Sequence, residues 1–366
     1  MFENIYQNKK VLVTGHTGFK GSWLTAWLLN LGASVVGISK DIPTQPSMFE
    51  ELELEQRIRH HQIDIRNLDN LSQIINQEKP DFVFHLAAQA IVSTSYNDPL
   101  ETISSNVMGT SNVLEALRIS NHKCTAVIIT SDKAYENVEQ IWGYKENDQM
   151  GGRDVYSGSK GAAELIIKSY YHSFFKSDKS NVRLAIARAG NVIGGGDWAK
   201  DRIVVDAVVA WHQGGKVEIR SPEATRPWQH VLEPLSGYLN LGQRLYSDKS
   251  FNGEGFNFGP RAEQNRTVKD LLQDLSKYWN FDNSTDAFTI TDNIPFHEAG
   301  LLKLNCDKAL ARLKWQATLD YQSTIKFTSQ WYYQFYNHDK DILAQTIQQI
   351  SNYEELAKSQ KLTWTV

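Results

Sequence analysis

Cysteine is nearly missing from this chain: Cys124 and Cys306 are the only two among 366 residues. Two thiols cannot build a disulfide framework, and neither C-x-x-C nor any metal-ligand spacing is present. A basic excess is missing as well. The net charge of −4 gives nucleic acid or an anionic membrane nothing to bind in bulk. Local cationic groups could still hold a small anion. No apolar run approaches the roughly 20 residues of a membrane span. The opening MFENIYQNKK lacks the cationic-then-apolar order of a signal peptide. Internal repeats and low-complexity segments are absent too. These absences lead to the expectation of a cytoplasmic protein with no membrane and no nucleic-acid partner.

What is there suits a globular fold. Hydrophobic residues make up 41% and charged residues 22%, and the length supports a substantial core. KKVLVTG (9–15), SVVGIS (34–39), IDI (63–65), DFVFHLAA (81–88), AVIITS (126–131) and VRLAIAR (182–188) read as strands. Between them lie helical stretches: WLTAWLLNL (23–31) with Gly32 as its stop, one near 69–77 and one around 100–119. Strands apolar throughout, alternating with helices, imply an α/β fold: a doubly wound parallel sheet covered on both faces. Beyond residue 190 the character changes. GNVIGGGDW is glycine-rich and RSPEATRPW is polar, so a smaller C-terminal lobe is expected. The expected division puts a dinucleotide-binding domain at 1–188, with 226–258 returning to it, and a substrate-binding lobe at 189–225 and 259–366. The tail at 320–358 reads as helix, with Trp331, Tyr332, Tyr333 and Phe335 close together, covering the core.

Two motifs carry chemistry. VLVTGHTGFKGSWL places Gly15, Gly18 and Gly21 between the first strand and the first helix. The first glycine permits a tight turn, the second lets a pyrophosphate approach the backbone, and the third lets helix pack on strand. The helix N-terminus adds free N–H groups and a positive dipole. The second strand ends Ile38-Ser39-Lys40-Asp41, so an acidic residue for the adenosine ribose comes a position or two late. Lys40 and Ser39 could tolerate a ribose phosphate. The residues alone put NAD ahead of NADP without excluding either.

The second motif is DVYSGSKGAAEL, with Tyr156 and Lys160 four apart and therefore on one helical face. A tyrosine near pKa ~10 is a weak base at neutral pH. A neighbouring ammonium and a positive nicotinamide ring would favour the phenolate. Upstream, TSDKAYEN (130–137) ends a strand with Asp132 beside Lys133, an acid and a base adjacent.

In this order HLAAQ (85–89), NVMGT (106–110), the strand-end SDK and Y-x-x-x-K resemble an extended short-chain dehydrogenase/reductase of the nucleotide-sugar type. GHTGFKGSWL, TSDKAYEN, RAGNVIGGGDW (188–198), DRIVVD (201–206) and ATRPWQHVLEPLSGYL (224–239) are similar to the 4,6-dehydratases of that family, with CDP-linked glucose as the implied substrate. The motifs cover residues 9 to about 260. The chain departs from the pattern at Ala90 and Ser93, where the family carries proline and arginine, and at Val155, where it carries proline. The first departure bears on one substrate or cofactor contact, the second on loop stiffness.

The resemblance implies a Rossmann fold and NAD held by Gly15, Thr17, Gly18, Phe19 and Gly21, by Asp64 and Ile65, and by Leu86, Ala87, Ala88 and Asn106, with Tyr156 and Lys160. It also implies a homodimer, or a tetramer, in a deoxysugar pathway feeding surface polysaccharide. Tyr156 would take the O4 proton, with Ser131 on O4 and Lys160 holding the phenolate. Asp132 would give a proton to the leaving C6 hydroxyl and must be protonated to do so. Lys133, standing where dTDP-glucose dehydratases carry glutamate, would remove the C5 proton and must be neutral. Asn191, Arg202, Arg220 and Arg226 are expected around the diphosphate, since a guanidinium fork matches phosphate oxygens. His16, Trp198 and His230 fall in matched blocks without an assignable role. A 4-epimerase needs no pair at 132–133, UDP-sugar dehydratases with Asp-Lys tend to lack the tyrosine, and a non-catalytic regulator would not need Ser131, Tyr156 and Lys160 together.

Overall fold

The computed structural model describes residues 1–261, 263–279, 281, 283–291, 301–337 and 341–366. Its centre is a seven-stranded parallel sheet. The strands are β1 Lys10–Thr14, β2 Ser34–Ser39, β3 Arg59–Gln62, β4 Phe82–His85, β5 Cys124–Ile129, β6 Val182–Ala189 and β7 Gly255–Phe258. Their order is β7-β6-β5-β4-β1-β2-β3. The order reverses beside β1, between its neighbours β2 and β4, which opens a crevice at the carboxyl ends of those strands. β7 joins the sheet beside β6, in register from Gly255 against Ile186 to Phe258 against Ala189.

Alternation along each strand feeds two cores. Val11, Val13, Phe84 and Val127 face one layer, while Leu12, Val83, Ala126 and Ile128 face the other. Helices α2 (Leu68–Glu78), α3 (Gly109–Ser120) and α4 (Val155–Tyr170) cover the second layer. On the first layer lie α1 (Phe19–Asn30) and α6 (Leu232–Ser247), with α5 (Ile203–His212) further out.

Helix α1 begins four residues before the expected Trp23 and is buried continuously from Gly21 to Leu28. A helix apolar on every side needs cover on every side. The C-terminal helix α8 (Ile342–Ser359) provides part of it, while α7 (Tyr321–Asn337), before 338–340, which lie outside the described residues, packs against Trp198, His212 and Trp279. Trp27 donates to Glu354 at 2.8 Å and meets Tyr353 edge-on at 5.7 Å. Trp364 stacks on Phe2 at 5.1 Å. The last helix and Trp364 thus lie on α1 of the dinucleotide-binding half, where they cover Trp27, while Trp23 is covered by Gly195 and His230.

One strand lies elsewhere than read. IDI is not the third strand; the preceding RHHQ is. This strand is the sheet edge, so it needs no apolar run, and Ile65 instead turns inward against Gly109 of α3.

Candidate active site

The glycine turn closes on itself tightly. Gly15 has φ +73°, and a Cβ there would lie 2.7 Å from the Ala87 nitrogen. A Cβ at Gly21 would lie 2.1 Å from the Gly15 carbonyl oxygen, so only glycine lets α1 approach the strand. Gly18 differs: a Cβ there meets nothing nearer than 3.4 Å. It stands at the N-terminus of α1, whose first N–H groups have no side-chain cap. Uncapped donors beside open backbone are what a diphosphate needs, so these residues fit a dinucleotide. Phe19 begins the helix and is half-buried.

Several of the remaining expected contacts have structural partners. Thr17 donates its hydroxyl to the Asp41 carbonyl at 2.7 Å, which anchors the turn to the second strand end. Ala87 donates its N–H to the Thr14 hydroxyl at 3.2 Å, holding the Leu86-Ala87-Ala88 segment beside β1. Asn106 is buried, and its amide is divided between Gln89 and Ser159. It therefore fastens the loop after β4 to α4. Asp64 accepts from the Arg66 backbone and guanidinium, which holds its carboxyl below the usual range. Ile65 is core. His16, buried, bonds His60 at 2.7 Å and Ser39 at 3.1 Å, and burial lowers it to about 4.

The residues expected to do acid–base work come from two elements meeting at the end of β5. Ser131 caps the short turn Asp132–Ala134, accepting the Lys133 N–H at 3.2 Å and donating to Asp132 Oδ1 at 3.0 Å. Its hydroxyl is thus engaged by Asp132 and would have to leave it to meet the role expected from the sequence. Asp132 is buried, Lys133 half-buried, and among the described residues no ion pair joins them. Asp154 caps α4, taking the Ser157 N–H at 2.9 Å and its hydroxyl at 2.7 Å. That cap sets Tyr156 in the first turn, with the Lys160 ammonium 5.8 Å from its ring centre.

Burial pushes Tyr156 up to about 12; the Asp132 charge adds to this, while the Ser131 hydroxyl and Arg202 oppose it. The expected depression is thus not met by the chain's own charges, because desolvation of the phenolate outweighs them. Lys160 is brought down to about 8, chiefly by burial and then by Lys20.

The four binding-shell residues separate. Arg202 donates to Asp197 at 2.7 Å and lies near enough to Tyr156 to be influenced by it. Asn191 takes a left-handed φ of +52° just after β6, and its carbonyl accepts the Gln229 N–H at 3.2 Å. Arg220 is exposed at the end of Val217–Ile219, in the field of Asp206. Arg226, half-buried, donates to the Thr225 carbonyl at 2.9 Å. Trp198 is an aromatic anchor against Trp331 and Phe335, and His230 is a buried core histidine against Trp23 and Phe327.

Some residues here went unread in the sequence. Lys20 lies in the fields of Arg202, Asp132 and Asp197, and burial lowers it to about 8. A lysine in the first turn of a helix opposes the dipole, and that was the available signal. A cavity beside Asp132 is lined by Gly190, Gln229, Arg261, Lys303 and Leu304. These cations are distant in sequence and carry no motif.

A family model described as GDP-mannose 4,6 dehydratase matches residues 12–328. A CDP-glucose 4,6-dehydratase of Salmonella typhimurium is 45% identical over 356 residues, covering 96% of this chain and 98% of that protein. A dTDP-glucose 4,6-dehydratase of Haemophilus influenzae is 24% identical, over 88% of this chain and 97% of its own. Among solved structures, a dTDP-glucose 4,6-dehydratase of Streptomyces venezuelae with NAD bound aligns with TM-score 0.75 and 19% identity, over 89% of this chain and 97% of that one. The last likeness bears on the fold alone.

Proposed function

This chain belongs to the GDP-mannose 4,6 dehydratase family, and from that premise we propose that it converts CDP-D-glucose to CDP-4-dehydro-6-deoxy-D-glucose and water, as an NAD-dependent lyase. The observation that carries the reading is the packing of the Asp132–Ala134 turn against α4 at the end of β5, which brings Asp132 toward Tyr156. An enzyme that only oxidises C4 needs Tyr156 and Lys160; one that also expels O6 needs a second acid and base beside them.

The residues divide the work as follows. The turn at Gly15, Gly18 and Gly21 holds the diphosphate of NAD. The chemistry supplied there by NAD, when bound, is reversible hydride acceptance, from C4 and back to C6. At the adenosine end, Lys40 and Arg66 face three carboxylates, Asp41, Asp64 and Glu101. That balance leaves no net positive charge for a ribose phosphate and favours NAD over NADP. Tyr156 removes the O4 proton, and the positive charges of Lys160 and Arg202 stabilise its phenolate. Lys133 removes the C5 proton made acidic by the new ketone. Asp132 protonates the departing C6 hydroxyl, so one water leaves.

The reading includes the division expected from the sequence, with the dinucleotide bound at 1–188, to which 226–258 returns, and the sugar nucleotide closed over by residues 189–225 and 259 onward as far as α7, while α8 and Trp364 pack on α1. It includes a homodimer or tetramer too. Leu100, Ile103, Met108 and Leu165 are exposed on neighbouring helices and would be covered in such an assembly. Among the described residues no helix is long and apolar enough to cross a membrane, and a cytoplasmic role in deoxysugar synthesis for surface polysaccharide completes the proposal. The test is to offer CDP-, dTDP-, UDP- and GDP-linked glucose with NAD and follow the 4-keto product by NMR. Product from CDP-glucose is expected; none from it overturns the assignment.

A further inference from the structure

Behind the acid–base turn lies a buried polar network that no step above uses. Arg188 on β6 and Glu164 on α4 are 1% and 0% exposed and form a two-pronged pair, Nε to Oε1 at 2.7 Å and Nη2 to Oε2 at 2.9 Å. The pair does not end there. Thr130, the residue before Ser131, donates its hydroxyl to Glu164 Oε1 at 2.6 Å. On the far side of the turn, the Arg188 Nη1 donates to the Tyr135 hydroxyl at 2.5 Å, and the guanidinium lies 5.0 Å from the Tyr135 ring centre. The Tyr135 hydroxyl in turn donates a hydrogen bond to Asn257 Oδ1 at 2.8 Å, on β7.

The topology of these contacts is informative. Residues 130 and 135 bracket Asp132 and Lys133, and both brackets end on a single ion pair. One partner of that pair, Glu164, lies one helical turn beyond Lys160, on the helix that also carries Tyr156. Breaking a buried pair leaves an uncompensated charge, so the network has one arrangement or none. It ties the turn that eliminates to the helix that oxidises.

We propose that Thr130, Tyr135, Glu164 and Arg188 form a positioning frame that sets the Asp132–Lys133 turn at a fixed place relative to Tyr156. None of the four touches the reacting atoms; they act through the turn. The inference rests on the proposed dehydratase reading and extends it to residues with no chemistry of their own.

The frame contacts the chain on both sides of the turn, while Tyr156 has its own anchor in the Asp154 cap. Loosening the frame should therefore harm elimination more than oxidation. The variants are Tyr135→Phe and Thr130→Val, each removing one hydroxyl and leaving the ion pair. Glu164→Gln is less suitable, because Glu164 also raises Lys160. Oxidation alone is read as reduced dinucleotide formed with a CDP-sugar lacking the 6-hydroxyl, which has no water to lose. Elimination is read as solvent deuterium entering C5 during turnover of CDP-glucose. Both rates come from one preparation, so their ratio is independent of the fraction folded.

Elimination is expected to fall at least 10-fold and oxidation less than 3-fold, on the ground that displacement of a reacting group by about 1 Å costs on the order of 100-fold. Reduced dinucleotide should also accumulate during turnover of CDP-glucose. An unchanged ratio in both variants, or an equal fall in both rates, overturns the frame. A wild-type chain that neither oxidises nor dehydrates CDP-glucose overturns the functional reading instead.

Discussion

Replacing Gly190 by alanine should disable elimination while leaving the chain folded. Gly190 follows β6 directly, and a Cβ there would lie 1.8 Å from Asp132 Oδ2 and 2.1 Å from its Cγ, where real contacts stay beyond 3.0 Å. The carboxyl must retreat by more than an ångström, and it has only two side-chain torsions with which to do so. Its hydrogen bond from Ser131, now 3.0 Å, would be lost. The stability cost combines overpacking, about 1–3 kcal/mol, with a hydrogen bond worth about 1 kcal/mol. A domain of this size tolerates that against a total of roughly 5–15 kcal/mol. The catalytic cost is larger in proportion, since misplacing a reacting group by about 1 Å removes on the order of 100-fold in rate. Product formation from CDP-glucose, measured beside a thermal melt, is the assay. A Gly190→Ala protein that melts a few degrees lower and makes product at the wild-type rate would show that Asp132 is not the proton donor.

The other expectations are simpler. Lys133→Ala should stop solvent hydrogen from entering C5 while reduced dinucleotide still forms; normal exchange would remove Lys133 from the base role. Tyr156→Phe should lower C4 oxidation by about 1,000-fold, the range of a lost general base, and retention of rate in single-turnover absorbance would contradict it. Acidification should destabilise the fold. Burial lowers His16 to about 4 and His85 and His230 to about 3, so the unfolded chain takes up their protons first. Stability held above pH ~6.5 is then lost as pH falls toward those values, at about 1.4 kcal/mol per histidine per pH unit. Glu233, which burial raises to about 7, acts oppositely between there and its ordinary value. At pH ~5 the histidines cost about 6 kcal/mol, while Glu233 returns about 2 and Asp206, which partial burial raises to about 6, returns at most about 1 because solvent screens it, a net loss on the order of 2–3 kcal/mol relative to neutrality. Urea titrations at the two pH values test this, and equal midpoints refute it.

Several features were legible because they are local. The glycine spacing at 15, 18 and 21 encodes backbone approach directly, since a Cβ at two of those positions would strike named atoms. Tyr156 and Lys160 share a face through helical period alone. The apolar strands announced a two-sided sheet. By contrast, β3 was misplaced because an edge strand needs no apolar pattern, and although the tail was read as helix covering the core, that its last helix covers α1 was not legible, because a helix face carries no label for its partner.

The distinction is one of range. Residue type and spacing along the chain settled the fold class and the glycine turn and supplied the candidate catalytic residues, since each depends on interactions within a strand, a turn or a helix. Only folding decided that Asp132 presses against Gly190, that Lys20 enters the charge cluster, and that Arg188 and Glu164 brace the turn at 130–135. These contacts join residues from about 24 to more than 100 positions apart. Burial, which pushes Tyr156 upward and holds the buried histidines neutral, likewise exists only once the layers have closed.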